Sequence, residues 1–304
     1  MGNWGAAILL FACLSSARSE ALPARAFDAP RAFQDLVTQC ALGPRVPGTK
    51  PHDQCAQWLV AQLRCTADRV TTQRFTQVVK NKPVPLVNIQ AVFNPQGKQH
   101  ILLCAHWDSR PTADADPDPA KRRQAVPGAN DGASGVAVLL EIARALKSRP
   151  PTDRVTIVLF DGEDYGATVA DMLLGSRHYA AHFDGPPVNW AVLLDMVGAK
   201  GLRIEQEQNS LAAAGDVVKR VWTAARRAGS SAFVEEKGPT VIDDHVPLIA
   251  RGIPCVDVID FDYPQWHTTA DTPDQCSAAS LDQVGRAILQ TIADGEPGAG
   301  QKGQ

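Results

Sequence analysis

Val155 to Gly166 reads VTIVLFDGEDYG, an apolar, β-branched run that passes directly into Asp161, Glu163 and Asp164. A short continuous apolar run bounded by Gly and Asp is the pattern of a strand buried on both faces. Carboxylates crowded at its end repel one another and are costly to desolvate unless they share a cation or a proton. An isolated acidic turn of this kind is ordinarily a solvated loop. Its meaning therefore depends on what the rest of the chain brings to the same end of the same sheet.

Just upstream, Ser134 to Lys147 (SGVAVLLEIARALK) has the apolar content of a packed helix. Strand patterns precede it at Arg69 to Phe75, Leu86 to Phe93 and His100 to Ala105, and Asn94-Pro95-Gln96-Gly97 separates the last two as a hairpin turn would. Helical spacing occupies Asp28 to Ala41 and His52 to Thr66, on either side of a Pro/Gly-rich turn, GPRVPGT. Downstream, Trp190 to Leu194 and Cys255 to Ile259 read as buried strands and Ser210 to Ala228 as a helix. Ser280 with Gln283 forms a capping-box pattern for a last helix running to about Asp294. Strands alternating with helices predict a three-layer α/β/α domain with a mostly parallel, mixed central sheet carrying one antiparallel edge. With no repeat and no linker, residues 20–296 read as one domain and 297–304 as a disordered tail.

The chain has 304 residues, 44% hydrophobic, with a net charge of -3, which suits a large buried core and argues against a nucleic-acid partner. No stretch in its body approaches the roughly twenty apolar residues of a membrane span. Residues 1–19 differ: Trp4 to Leu14 (WGAAILLFACL) followed by SSARS resembles a secretory signal. Leu10-Phe11-Ala12-Cys13 also resembles a lipoprotein processing site, so a lipid anchor at Cys13 is the second route. Either implies export, to the periplasm or the medium. Cys40, Cys55, Cys65, Cys104, Cys255 and Cys276 remain, none with C-x-x-C spacing, and their pairing is not legible in sequence.

Other strand ends and loops also carry acids and histidines. His106 and Asp108 follow His100 to Ala105, Asp131 stands before a helix in GANDG, Asp195 ends AVLL, and Asp243-Asp244-His245 and His267 lie further on. Open α/β sheets bind ligands beyond the carboxyl ends of their strands. Oxygen and imidazole donors there, without thiolates, suit a catalytic zinc. Adjacent acids on an extended segment diverge, so one can bind metal while the other faces substrate as a proton carrier.

In order, HWDSRP, GANDGASG, FDGEDYG, LLDMVG, DDH and WHT resemble the zinc-aminopeptidase-like fold and, within it, glutaminyl cyclases of the animal-like bacterial type. The likeness begins at GPRVPGT and reaches the final helix. It implies Asp131, Asp164 and His267 as ligands of one zinc ion, Glu163 as the general acid/base, and Asp195 and Asp243 as supporting acids. Trp266 is similar to the tryptophan that lines the family's substrate pocket, and Asp257, which stands where the animal enzymes have histidine, is implied as a further residue of that pocket. Gly166 to Leu174 lacks the pocket tryptophan of the animal enzymes, which leaves Tyr165 or Trp107 to stand in. The implied substrates are peptides or proteins with N-terminal glutamine, cyclised to pyroglutamate.

The rival is a two-zinc aminopeptidase, with His106, Asp131 and Asp195 on one ion and Asp131, Asp164 and His267 on the other. A silent binding protein would not need Glu163 beside Asp164, and a serine hydrolase lacks its G-x-S-x-G turn. His52, His178 and His182 read as surface or helix residues, the Asp114, Asp116 and Asp118 loop as flexible, and Asp161 as a brace for its turn.

Overall fold

The structure is a computed structural model and describes residues 26–295. The proposed signal segment, Cys13 and the 297–304 tail lie outside the described residues. In chain order come α1 (Ala29–Ala41), α2 (Lys50–Arg64), β1 (Arg69–Val79), β2 (Lys82–Phe93), β3 (His100–His106), α3 (Ala133–Ser148) and β4 (Arg154–Phe160). Then follow α4 (Leu174–Ala181), β5 (Trp190–Asp195), β6 (Ile204–Gln206), α5 (Gln208–Ala228) and β7 (Phe233–Lys237). The last elements are α6 (His245–Ala250), β8 (Cys255–Ile259) and α7 (Ala278–Asp294).

Six strands form the central sheet in the order β1-β2-β4-β3-β5-β8. The run β4-β3-β5-β8 is parallel, whereas β1 and β2 pair with each other, and β2 with β4, in antiparallel fashion. The antiparallel edge is thus two strands wide. The expected hairpin at Asn94 to Gly97 is not formed, because β2 and β3 are separated by β4. The hairpin lies instead at Lys80-Asn81, both with positive φ (48° and 62°), the backbone a tight two-residue turn needs to follow strand twist.

Side chains alternate between two cores. Ile101, Leu103 and Ala105 of β3, Ile157 and Leu159 of β4, and Val192 and Leu194 of β5 face the larger core, which also holds buried residues of α1, α2, α3, α5 and α7. Their neighbours Leu102, Cys104, Val158, Phe160, Ala191 and Leu193 face a thinner layer with Tyr179 of α4 and Leu248 of α6. This double burial is why the strands read as unbroken apolar runs. Each fully buried aliphatic side chain contributes roughly 2 kcal/mol.

One local expectation changes, the cap of α7, while His52 and His178 lie on helices, α2 and α4. Ser277, not Ser280, caps α7 by accepting from Ser280 N, while Gln283 Oε1 accepts from Ser231 N and Ala232 N instead. His52 is buried: its ring stacks on Trp107 with centroids 4.4 Å apart, and Nε2 reaches both Asp161 oxygens at 2.9 and 3.0 Å. His178 is half-buried between Phe75 and His182. All six cysteines of the described residues are free thiols.

Candidate metal centre

The carboxyl ends of the parallel strands bring the acids and histidines to one rim. His106 ends β3 and places Nε2 3.0 Å from Asp131 Oδ1 and 3.1 Å from Asp195 Oδ1 at the end of β5. Gly132 makes that approach feasible, since a Cβ there would lie 2.4 Å from the His106 ring. Asp131 is held from behind, with Asn130 N and Asp131 N donating to the Asp271 carboxylate, which also accepts from Tyr263 Oη.

The opening acids separate by partner. Asp161 accepts from Val87 N at 2.6 Å and pairs with His52, tying the turn to β2 and α2. Burial pushes its carboxyl up to about 6 despite His52. Asp108 accepts from Glu163 N and Asp164 N at 3.1 and 3.2 Å, so it fixes the backbone between the two neighbouring acids. Asp164 Oδ1 receives Arg110 Nη1 at 2.6 Å and lies 3.2 Å from His267 Nε2, while Oδ2 is buried with no partner. Glu163 is buried and its side chain makes no hydrogen bond or ion pair among the described residues; burial, reinforced by Asp164, raises its carboxyl well above the usual range.

His267 adopts a left-handed backbone (φ 55°), uncommon for a non-glycine residue, and its Nε2 also lies 3.7 Å from Asp131 Oδ2. Trp266 stacks on its ring at 3.7 Å, 22° from parallel, and remains 37% exposed. Phe261, also exposed, stands 5.6 Å from Trp266, so an aromatic face borders the rim.

Donor atoms of Asp131, Asp164 and His267 fall within 4.8 Å of one another, as do those of His106, Asp131 and Asp195. Both triads are buried, and the orphaned Asp164 oxygen is what a cation would satisfy; the donors fit zinc. Asp131 bridges the triads: burial works against its charge, but His106 and His267 hold its carboxyl below the usual range. Burial likewise opposes the charge on His106, but Asp195, Asp108 and Asp131 hold its imidazolium well above the usual value. Asp195 is raised by burial, and Asp243 is pushed up to about 7 by burial and Asp195.

Two pocket expectations are overturned. Trp107 is fully buried, packed on His52 with Nε1 donating to Val87 O, so it lines no substrate surface. Asp257 is also fully buried, inside the sheet on β8, with Oδ2 3.6 Å from His245 Nδ1. Arg110 is a site residue that motif reading passed over. It clamps Asp164, Asp114 and Gly166 O together, and its only sequence signal is a lone Arg in HWDSRP.

Bacillus subtilis Aminopeptidase YwaD is 30% identical over 219 residues, and the Bos taurus Glutaminyl-peptide cyclotransferase 27% over 249 residues; each alignment covers 67% of this chain. The chain spans only 44% and 64% of those two relatives. The solved Tannerella forsythia glutaminyl cyclase is 37% identical with a TM-score of 0.85, covering 89% of this chain and 99% of that one. Residues 88–292, which include every donor of both triads, match Peptidase family M28, and the chain belongs to that family.

Proposed function

We propose that this chain is a zinc-dependent glutaminyl-peptide cyclotransferase that converts the N-terminal glutamine of peptides or proteins to pyroglutamate and releases ammonia. One observation carries the choice: Trp266 lies flat on His267 and is exposed, giving a side chain at the metal edge an aromatic wall. Asp131, Asp164 and His267 would hold one zinc at the rim, which would supply a Lewis acid for the γ-amide oxygen. Glu163, free of hydrogen bonds, takes a proton from the attacking α-amine as the N–C bond forms. It returns that proton to the departing γ-nitrogen as the amide C–N bond breaks, and ammonia leaves. A carboxyl raised by burial is suited to both halves of that transfer. His106 braces Asp131 against Asp195, and Asp243 adds negative charge behind Glu163. Attack within one residue needs no second molecule to be positioned.

A second reading, a two-zinc aminopeptidase, is favoured by the His106, Asp131 and Asp195 triad, with Glu163 then activating water. Purified protein given Gln-β-naphthylamide and Leu-p-nitroanilide separates the two. Ammonia and pyroglutamyl product with no nitroaniline support cyclisation, whereas nitroaniline release without ammonia overturns it.

Residues 20–296 form the single catalytic domain in this proposal, and the chain is exported, on the strength of the Trp4 to Leu14 pattern. No helix among the described residues is long and apolar enough to cross a membrane. The mass of the mature N-terminus tests export: an uncleaved Met1 counts against it, and a diacylated Cys13 would identify the lipid route.

A further inference from the structure

Behind Glu163, on the thin-layer side of the sheet, lies a third group of donors. Asp243 precedes α6, His245 opens it, and Asp257 sits within β8; they are 2%, 0% and 0% exposed, with donor atoms within 4.8 Å of one another. Both oxygens of Asp257 and Oδ2 of Asp243 accept no hydrogen bond. Asp244 and Glu207 are buried beside them, and no Lys or Arg among the described residues forms an ion pair with any of the four acids. Burying this much like charge without compensation is prohibitive, so protons or a cation must balance it.

The geometry favours a cation. Glu207 accepts from Asn209 N and Val241 N on Oε1 and from Ser210 N and Ser210 Oγ on Oε2, so both of its oxygens are already engaged by donors. It is therefore an acceptor only, and it lies 3.3 Å from His245 Nε2, though without the alignment of a good hydrogen bond. Both ring nitrogens of His245 are buried with no hydrogen-bond partner among the described residues, Nε2 on the Glu207 side and Nδ1 turned toward Asp257. A carboxylate orienting a metal-binding histidine in this way is a recurrent arrangement. Nδ1 stands 3.6 Å from Asp257 Oδ2, too far for a shared proton. Two ligands on one tetrahedral zinc are about 3.3–3.6 Å apart, given bonds of about 2.0–2.2 Å. His267 shows comparable separations, 3.2 and 3.7 Å, from Asp164 and Asp131 in the rim triad.

We propose that Asp243, His245 and Asp257 form a separate buried zinc site, oriented by Glu207, in addition to the rim site. It does not depend on which reaction the rim performs. The full chain, saturated with zinc and freed of excess, is measured by native mass spectrometry, and crystals of the wild type are examined by anomalous scattering at the zinc edge. Asp257→Asn and His245→Gln should each bind one zinc fewer than wild type, while His267→Gln loses rim zinc and retains this ion. An anomalous peak between Asp243, His245 and Asp257 supports the site. Wild-type crystals with no peak there, or folded Asp257→Asn with unchanged zinc content, overturn it. If His267→Gln alone keeps its full zinc content, the rim assignment fails and this one stands.

Discussion

Two buried acidic regions of this molecule solve the same electrostatic problem in opposite ways. On α3, Glu141 is fully buried, and its carboxylate accepts from Arg31 Nε and Nη2 at 2.8 and 2.6 Å and from Arg144 Nη1 at 3.1 Å. Arg144 also pairs with Asp35, so two acids meet two guanidinium groups. At the rim, among the described residues, Asp131, Glu163, Asp164 and Asp195 meet only His106, His267 and Arg110, and oxygens are left over. A closed network is structural, because each charge finds its counterion within the chain. An open one requires something the chain does not supply. Buried acids alone do not mark a site; the imbalance of buried acids over fixed cations does.

The sharpest break of that contrast is at Glu163. Glu163→Gln should lower turnover about a thousandfold, the usual worth of a positioned acid/base, with zinc per chain unchanged. In the same assay Asp164→Asn should lose both metal and activity, and if Glu163→Gln also loses zinc the proposed division between ligand and proton carrier is wrong.

On the closed side, Glu141→Ala should destabilise the fold by about 2 kcal/mol, since it removes a fully buried acceptor of three charge-assisted hydrogen bonds while Arg144 keeps Asp35 and Arg31 stays half exposed. Urea unfolding measures that loss, and zinc content of the folded protein should be unaltered. Should Glu141→Ala release metal, the two regions are coupled and the contrast fails.

Trp266→Ala should raise KM roughly fivefold, about 1 kcal/mol of aromatic contact, with a smaller change in kcat. A purely catalytic defect with unchanged KM would argue against a substrate wall at this position.

The smallest effect belongs to His100, whose Nδ1 faces Pro186 O at 3.0 Å and whose Nε2 lies 2.8 Å from Thr156 Oγ1. Burial lowers its proton affinity, so below about pH 6.5 the unfolded chain takes up a proton that the folded chain resists. Stability is thus lost as pH falls below that value and retained above it. In paired urea titrations at pH 5.5 and 7.5, His100→Asn should lose less stability on acidification than the wild type; an identical loss would refute this.

Local pattern carried much of the architecture. Cys255 to Ile259 and Asp28 to Ala41 were legible because double burial leaves an unbroken apolar run and helical packing leaves a 3.6-residue repeat. Asn94 to Gly97 misled because turn chemistry says nothing of which strand inserts next to β2. Ser280 was displaced by Ser277 because nearby positions offered the same capping chemistry.

By itself the sequence determined the layer class, the donors and their order along the chain, since apolar spacing and residue type are local properties. Local spacing did not say which donors meet; the family resemblance implied two sets, and the tertiary structure brings the atoms of each within 4.8 Å. It withdrew Trp107 and Asp257 from the substrate surface, buried His52 against Asp161, and recruited Arg110 to Asp164. Those outcomes depend on which face of the sheet a side chain takes and which loop crosses above it. Residues from Arg110 to His267 share one rim because parallel strands end together, a proximity that no local spacing encodes.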